Sequence, residues 1–426
     1  MRPDDYARFE KTASWMEEKA REWGLSPFPM RYEICPADVV YSIAGFGMPT
    51  RFTHWSFGKH YYRQKLDFDY GLSRIYELVV NNNPCYAFFL DSNTILQNEM
   101  IVGHVLGHSD FFRNNGRFMQ TNRNMVETMA ATAERFRGYE ERYGIDRVER
   151  IVDSALAVAE HVDPSLEMVG IRSGDGDGEG AKPRPSESPR DLLLFLQNHS
   201  AHLQDWERDI VASIREEMLY FWPQMETKIM NEGWATYWHT KFMQEMDLTG
   251  EDAIEFAKLT ANVSQRNRFH LNPYNVGLAI WNDIRNRYGE DEMFIARESD
   301  SDTSFLRNYL TQEIVDECDL YLYEKRDNEW VVVEKDVKVI RDVLVRQRVH
   351  AGFPTFDVSL RDDDGRAVLT LTHAYEGTEL DEGYVRKTLP HVHRLWGGQV
   401  SVITVVEGQL VEYVYDGSST TLVHAS

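Results

Sequence analysis

Apolar and polar positions alternate along this chain with two different periods, and the change between them sets the expected architecture. From Asp5 to Trp23 apolar residues recur at helical spacing, with Phe9, Ala13 and Met16 on one side and charges between them, which predicts an amphipathic helix. The Pro- and aromatic-rich stretch from Pro27 to Tyr70 breaks that period and reads as irregular structure on a core, followed by short strands around Tyr76 to Leu90. Helical spacing returns from Asn98 to about Tyr143, and again from Asp191 to about Gly289. Beyond Ser301 the period shortens to two. EWVVVEKDVKVIRDVLV, FDVSL, AVLTLTH and VSVITVVEGQLVEYVYD all carry strand signals, and Asp381 to Trp396 interrupts them as a helix.

The expected fold is therefore mainly α with α+β elements. A large helical domain covers 1–345 and a small C-terminal α+β domain covers 349–426. Ser173 to Pro189, rich in Gly, Asp and Pro, cannot bury a face and is expected to be an exposed, mobile loop. Its DGDGEG core lacks the closing Glu and flanking helices of an EF-hand, so a calcium loop is excluded. No repeat of 20 to 50 residues is visible.

Composition narrows the function classes. The formal net charge of −23 argues against nucleic acid or an anionic membrane as partner, since either needs basic patches to displace counterions. Twelve Lys stand against 34 Arg, and the acidic excess is spread along the chain, as in proteins that stay soluble at high salt; a halophilic source is the expectation. Cys35, Cys85 and Cys318 are far apart and form neither a disulfide framework nor a Cys-x-x-Cys motif. A reduced, cytoplasmic setting fits, and neither a signal peptide nor a membrane-spanning segment is apparent.

Candidate chemistry begins with histidine spacing. In GHVLGHSDFF, His104 and His108 stand at i and i+4, so on a helix both imidazoles leave one face about 6 Å apart, as two ligands of one Zn²⁺ require. The His-Glu-x-x-His motif of metallopeptidases has its general base at the position taken here by Val105. In NEGWATYWH, Glu232 shares an apolar stripe with Met225, Ile229, Thr236, His239 and Met243, and a carboxylate there needs a partner or a metal. Glu232 is assigned as the third ligand. His239 lies seven residues on, a rise of roughly 10 Å, so it is expected behind the ligands or on the substrate.

In WERDIVASIREEMLYF, Glu217 falls on the apolar arc of Trp206, Ile210, Ile214 and Phe221, either as a buried base or paired to a core arginine such as Arg215 or Arg123. Glu127, 19 residues after His108, competes for the third-ligand and base roles. Asp110 is a candidate to orient a ligand histidine. His199 and His202 are expected to begin a helix on the surface, and His391 and His393 to face solvent. No Glu-x-x-His precedes any of the 14 histidines, which excludes the ferritin-like di-iron motif, and phosphate loops and the GxSxG elbow are absent.

The strings NNNPCYAFFL, HVLGHSDFFRNN, NMVETMAATAER, DLLLFLQNHS, PQMETKIMNEGWATYWH, HLNPYNVGLAIWNDI and KTLPHVHRLWGGQV, in this order, resemble the SpoVR (stage V sporulation protein R) family across nearly the whole length. The stretch at Ser173 to Pro189 stands out as an insertion. The resemblance implies a link to spore cortex formation in sporulating bacteria, in a family that also occurs in organisms making no spores. It further implies protein partners, because members are encoded beside a serine-kinase AAA protein and a von Willebrand A-like protein. The metal site is read from residue spacing alone.

Two functions compete at this level. One is a zinc-dependent hydrolase with a zincin-like pair of helices carrying His104, His108 and Glu232, and Glu217 or Glu127 as base. The other is a non-catalytic regulatory scaffold that keeps a peptidase-like fold and binds protein partners, a reading favoured by Val105 and the acidic surface.

Overall fold

The computed structural model of the chain describes residues 3–70, 76–165, 190–266, 268–363 and 365–424. The loop expected at Ser173 to Pro189 lies outside them. Sixteen helices and ten strands occur among the described residues, so the protein is mainly helical with a C-terminal region that contains a sheet. No described helix is long and apolar enough to cross a membrane. The chain divides into two compact units, 1–128 with 223–351 and 129–222 with 352–426.

The first unit opens with α1 (Pro3–Glu22), which packs Phe9, Ala13 and Met16 into the core as its periodicity predicts. The next segment, expected to be irregular, holds β1 (Met30–Cys35), α2 (Ala37–Phe46) and α3 (Trp55–Asp69). The Pro and Gly residues that suggested irregular structure here bound a helix: Pro36 starts α2, and Gly47 ends it at φ 79°, a left-handed conformation open to glycine. Strands β2 (Glu77–Val80) and β3 (Cys85–Leu90) complete a three-stranded sheet of order β1-β3-β2, with β1 parallel and β2 antiparallel to β3. Cys85, Ala87 and Phe89 of β3 are fully buried in the main core.

Helix α4 (Ile95–Asn114) starts at a capping box in which Thr94 and Gln97 satisfy each other's backbone N–H groups. It is buried at every position from Ile101 to Phe112. Helix α9 (Lys228–Glu245) is nearly as enclosed, and its start is held by Asp302, whose carboxylate accepts from Ile229 N at 2.9 Å and Met230 N at 3.0 Å. The unit continues through α10 (Gly250–Val263), α11 (Pro273–Tyr288), α12 (Glu290–Ser299), α13 (Asp302–Tyr309) and α14 (Gln312–Cys318) to the hairpin of β4 (Leu322–Arg326) and β5 (Glu329–Glu334). Trp234 of α9 packs edge-on to Trp281 of α11 with ring centroids 4.9 Å apart. Residues 337–346, expected as strand, form α15 (Val337–Arg346). VKVIRDVLV satisfies both periods, and Asp336 decides between them by capping the first turn at Lys338 N, 2.7 Å away.

The second unit contains α5 (Met125–Tyr143) from Met129 on, α6 (Ile145–Leu156), α7 (Leu192–His199) and α8 (Asp205–Glu226) up to Trp222. Its sheet, of order β10-β9-β8-β7-β6, is built from β6 (Phe356–Asp363), β7 (Arg366–His373), β8 (Val400–Val406), β9 (Gln409–Tyr415) and β10 (Thr420–His424). Strands β7 and β8 run parallel, so the chain must cross over between them, and α16 (Glu382–Trp396) is that crossover. It buries Val385, Leu389, Val392 and Leu395, the helix expected at Asp381 to Trp396.

Candidate metal centre

Glycines determine how close the helices come. A Cβ built on Gly107 of α4 would stand 2.7 Å from the Cα of Ala235, and one on Gly103 would stand 3.1 Å from the Cα of His239. The first does not fit and the second is tighter than ordinary contact, so the GHVLG segment lets α4 lie directly against the backbone of α9. On the other side of α9, Gly233 and Gly277 of α11 meet backbone to backbone, with no room for a side chain on either. The residues that follow the glycines of α4, His104 and His108, are thereby brought to the face of α9 that carries Glu232.

His104 Nε2 and His108 Nε2 are 3.1 Å apart, and Glu232 Oε2 lies 3.6 Å from the first and 3.5 Å from the second. All three residues are buried, and they are the one group of His, Cys, Asp or Glu among the described residues whose arrangement could hold a metal ion. The outer contacts are compatible with the tautomers this would need. His108 Nδ1 stands 2.8 Å from Asn231 Oδ1, which can only accept, so Nδ1 carries the proton and Nε2 offers its lone pair. His104 Nδ1 stands 3.0 Å from His239 Nδ1. With the proton on His104, His239 accepts and its own N–H sits on Nε2, a buried atom with no hydrogen-bond partner.

The electrostatics favour a cation. Burial and the neighbouring His108 push His104 down, and burial with both other histidines pushes His239 well down, so these imidazoles are neutral. Burial works to raise Glu232, but hydrogen bonding and charge from His104, His108 and Lys228 outweigh it and keep the group an anion. Lys228 takes one carboxylate oxygen, Oε1. The other, Oε2, is buried among the imidazoles without a hydrogen-bond partner. A buried carboxylate oxygen beside two imidazole nitrogens is a donor set that a divalent cation, displacing any proton between them, would complete.

Two residues not singled out from the sequence join this site. Tyr274, in the first turn of α11, stacks near His104 with centroids 6.1 Å apart, and its phenol is pushed far up by burial, Glu232 and Glu77. Glu77 of β2 is pushed up to about 7, mainly by burial, with Glu232 raising it and His108 opposing. A lone acid in the strand sequence YELVV was the available signal for Glu77. Asn272, which caps α11 through Tyr274 N at 3.0 Å, was the signal for Tyr274.

Glu127 is exposed on the first turn of α5. Glu217 is buried on α8, in the second unit, whereas the histidines and Glu232 belong to the first. Of the arginines considered for it, Arg215 pairs with Asp191 at 2.8 Å, and Arg123 bonds Asn81 and the carbonyls of Phe112 and Phe118. Asp110 does not orient a histidine. It is fully buried, accepts from Trp234 Nε1 at 3.0 Å and pairs with Arg297 at 2.8 Å, because it leaves α4 on the side away from the two imidazoles. His199 and His202 are exposed, but His199 ends a helix instead of beginning one. His391 and His393 are half-buried on α16, bonded to Ser154 Oγ and the Gly398 carbonyl, so they do not face solvent.

Comparison with known proteins agrees with the breadth of the resemblance. The family model described as SpoVR like protein matches residues 4–172 and 166–353, and that of the SpoVR-like C-terminal domain matches 354–407. The uncharacterized protein YcgB of Escherichia coli (strain K12) is 26% identical over 458 residues, covering 90% of this chain and 89% of that protein. No solved structure matches. With family models spanning almost every described residue of both units, the chain belongs to the SpoVR family.

Proposed function

We propose that the protein is a zinc-dependent hydrolase whose ion is held by His104, His108 and Glu232. The observation that carries this reading is the spacing of the donor atoms. Tetrahedral zinc with bonds of about 2.0–2.1 Å places its ligand atoms about 3.3–3.4 Å from one another, whereas cis ligands of an octahedral ion at the same bond lengths stand about 2.9 Å apart. The three donor separations here, 3.1, 3.5 and 3.6 Å, fall around the tetrahedral value. Three protein ligands leave a fourth position free, the arrangement of catalytic rather than structural zinc sites. Zinc bound there would polarise a substrate carbonyl and lower the pKa of water. Asn231 and His239 hold the imidazoles in the ligating tautomer, Lys228 fixes the Glu232 carboxylate, and buried aromatic residues keep bulk water out.

Metal analysis of the purified protein tests this. One equivalent of zinc in the parent, lost in His104→Ala and Glu232→Ala, is the expected result; a parent containing well under one equivalent after zinc loading and desalting ends the reading. A second reading, a regulatory scaffold that binds protein partners, is favoured by Val105, a fully buried apolar residue where metallopeptidases place their base. It predicts that His104→Ala and Glu232→Ala still capture the same partner proteins in a pull-down at physiological salt.

A further inference from the structure

A hydrolase built on this centre needs a carboxylate to take a proton from water, and α4 does not supply one. Val105 is buried in the apolar core and Glu127 is exposed. The sheet beside α4 does supply one. In the antiparallel pairing of β2 with β3, Glu77 stands opposite Phe89 and Val79 opposite Ala87, so Glu77 and Val79 share a sheet face with Phe89, Ala87 and Cys85. That face is the one turned to α4: Cys85, Ala87 and Phe89 belong to the same core cluster as Val102, Val105 and Leu106, and the Cys85 thiol interacts with the Ser109 side chain. A register shift of one residue would send the acid to the opposite face.

The position along the strand matters as much as the face. Glu77 begins β2, at the edge of the sheet, and feels the charges of His108 and Glu232, while the Tyr274 phenol feels both Glu77 and Glu232. A second carboxylate, on the sheet face that packs on α4, is therefore close enough for its charge to act on the donors without belonging to the donor group itself.

We propose that Glu77 is the general base of this site, standing on the edge strand in place of the glutamate that α4 lacks. The assignment rests on the metal-hydrolase reading. As the water oxygen bonds to the substrate carbonyl carbon, the carbonyl electron pair moves to its oxygen and Glu77 takes one proton from the water. When the carbonyl re-forms and the bond to the leaving nitrogen or oxygen breaks, Glu77 returns that proton to the leaving atom. An amide or ester is thus converted to an acid and an amine or alcohol, with no other reactant consumed.

Acetohydroxamate provides a test that needs no substrate, because on chelating zinc it gives up a proton that a neighbouring carboxylate receives. Zinc content and acetohydroxamate affinity, by calorimetry, are compared in the zinc-loaded parent, Glu77→Gln and Glu77→Asp. The expected result is one equivalent of zinc in all three, with binding at least about tenfold weaker in Glu77→Gln, the loss of one charge-assisted hydrogen bond, and an intermediate affinity in Glu77→Asp. Unchanged affinity in either variant overturns the assignment, as does loss of zinc from Glu77→Gln, which would make the residue a ligand. Should Glu77→Gln not fold, Glu77→Asp decides by the same comparison. A zinc-loaded parent that does not bind acetohydroxamate also overturns it, whereas a parent that takes up no zinc overturns the metal reading on which it rests.

Discussion

Replacing Gly107 with alanine probes the contact that assembles the centre. The added methyl carbon would stand 2.7 Å from the Cα of Ala235 and 3.4 Å from both its Cβ and its backbone nitrogen. Relief requires α4 and α9 to part by roughly 1 Å, since carbon atoms rest at about 3.5–4.0 Å. Overpacking of this kind costs about 1–3 kcal/mol, and the better helix propensity of alanine returns about 1 kcal/mol of it. The expected net loss is therefore up to about 2 kcal/mol in urea titrations of metal-free protein. The same displacement would carry His108 Nε2 and Glu232 Oε2, now 3.5 Å apart, beyond the span of one tetrahedral ion, so zinc affinity in competition with a chelator should fall at least tenfold. Gly138, mid-helix in α5 with open space around it, is the control: Gly138→Ala should gain about 0.5–1 kcal/mol and leave zinc affinity unchanged. A Gly107→Ala protein as stable as the parent, with the parent's zinc affinity, would show that the two backbones are not in contact and that the site is assembled by other means.

Three further outcomes follow from contacts already described. Asn231→Ala removes the acceptor at His108 Nδ1, and zinc affinity should drop about 10- to 100-fold while the fold survives; affinity within twofold of the parent would refute the orienting role. Asp302→Ala strips the acceptors from two backbone N–H groups at the start of α9 and should cost about 2–3 kcal/mol in urea, and Asp302→Asn, which keeps one acceptor oxygen and turns an NH2 donor to the other N–H, should also be destabilised; no loss in either variant would mean that packing alone holds this end. In the second unit burial lowers His161 to about 4, so the unfolded chain, with its ordinary value of 6.5, takes up the proton first on acidification. The stability this histidine supplies is therefore present above pH 6.5 and lost as pH falls towards 4, and a His161→Gln variant with the parent's slope of stability against pH over that window would refute the assignment.

The centre's donors were legible in the sequence because helical geometry is local. The spacing of four from His104 to His108 fixes both imidazoles on one face whatever surrounds the helix, and a carboxylate inside the apolar run of NEGWATYWH must find a buried partner. Glu77 and Tyr274 were not legible, since their places depend on how β2 pairs with β3 and on where α11 begins beside α9, neither of which any local period encodes. Asp110 was misread for a related reason. Spacing placed it near the histidines, but its partners, Arg297 and Trp234, come from remote segments. Along the fold, α1 and α16 followed from their amphipathic spacing, whereas α15 was mistaken for strand because its apolar residues suit either period until the Asp336 cap is considered.

The glycine contacts on both sides of α9 also govern how the site can move. With α4 and α11 seated on its backbone, α9 can neither slide nor turn without driving main chain into main chain, so the two imidazoles and the Glu232 carboxylate keep their spacing through any cycle of work. In the proposed hydrolase, entry and exit of a reactant would then fall to elements outside these contacts, such as the four-residue edge strand that starts at Glu77. The donor cage acts as an anvil, and breathing is confined to the rim.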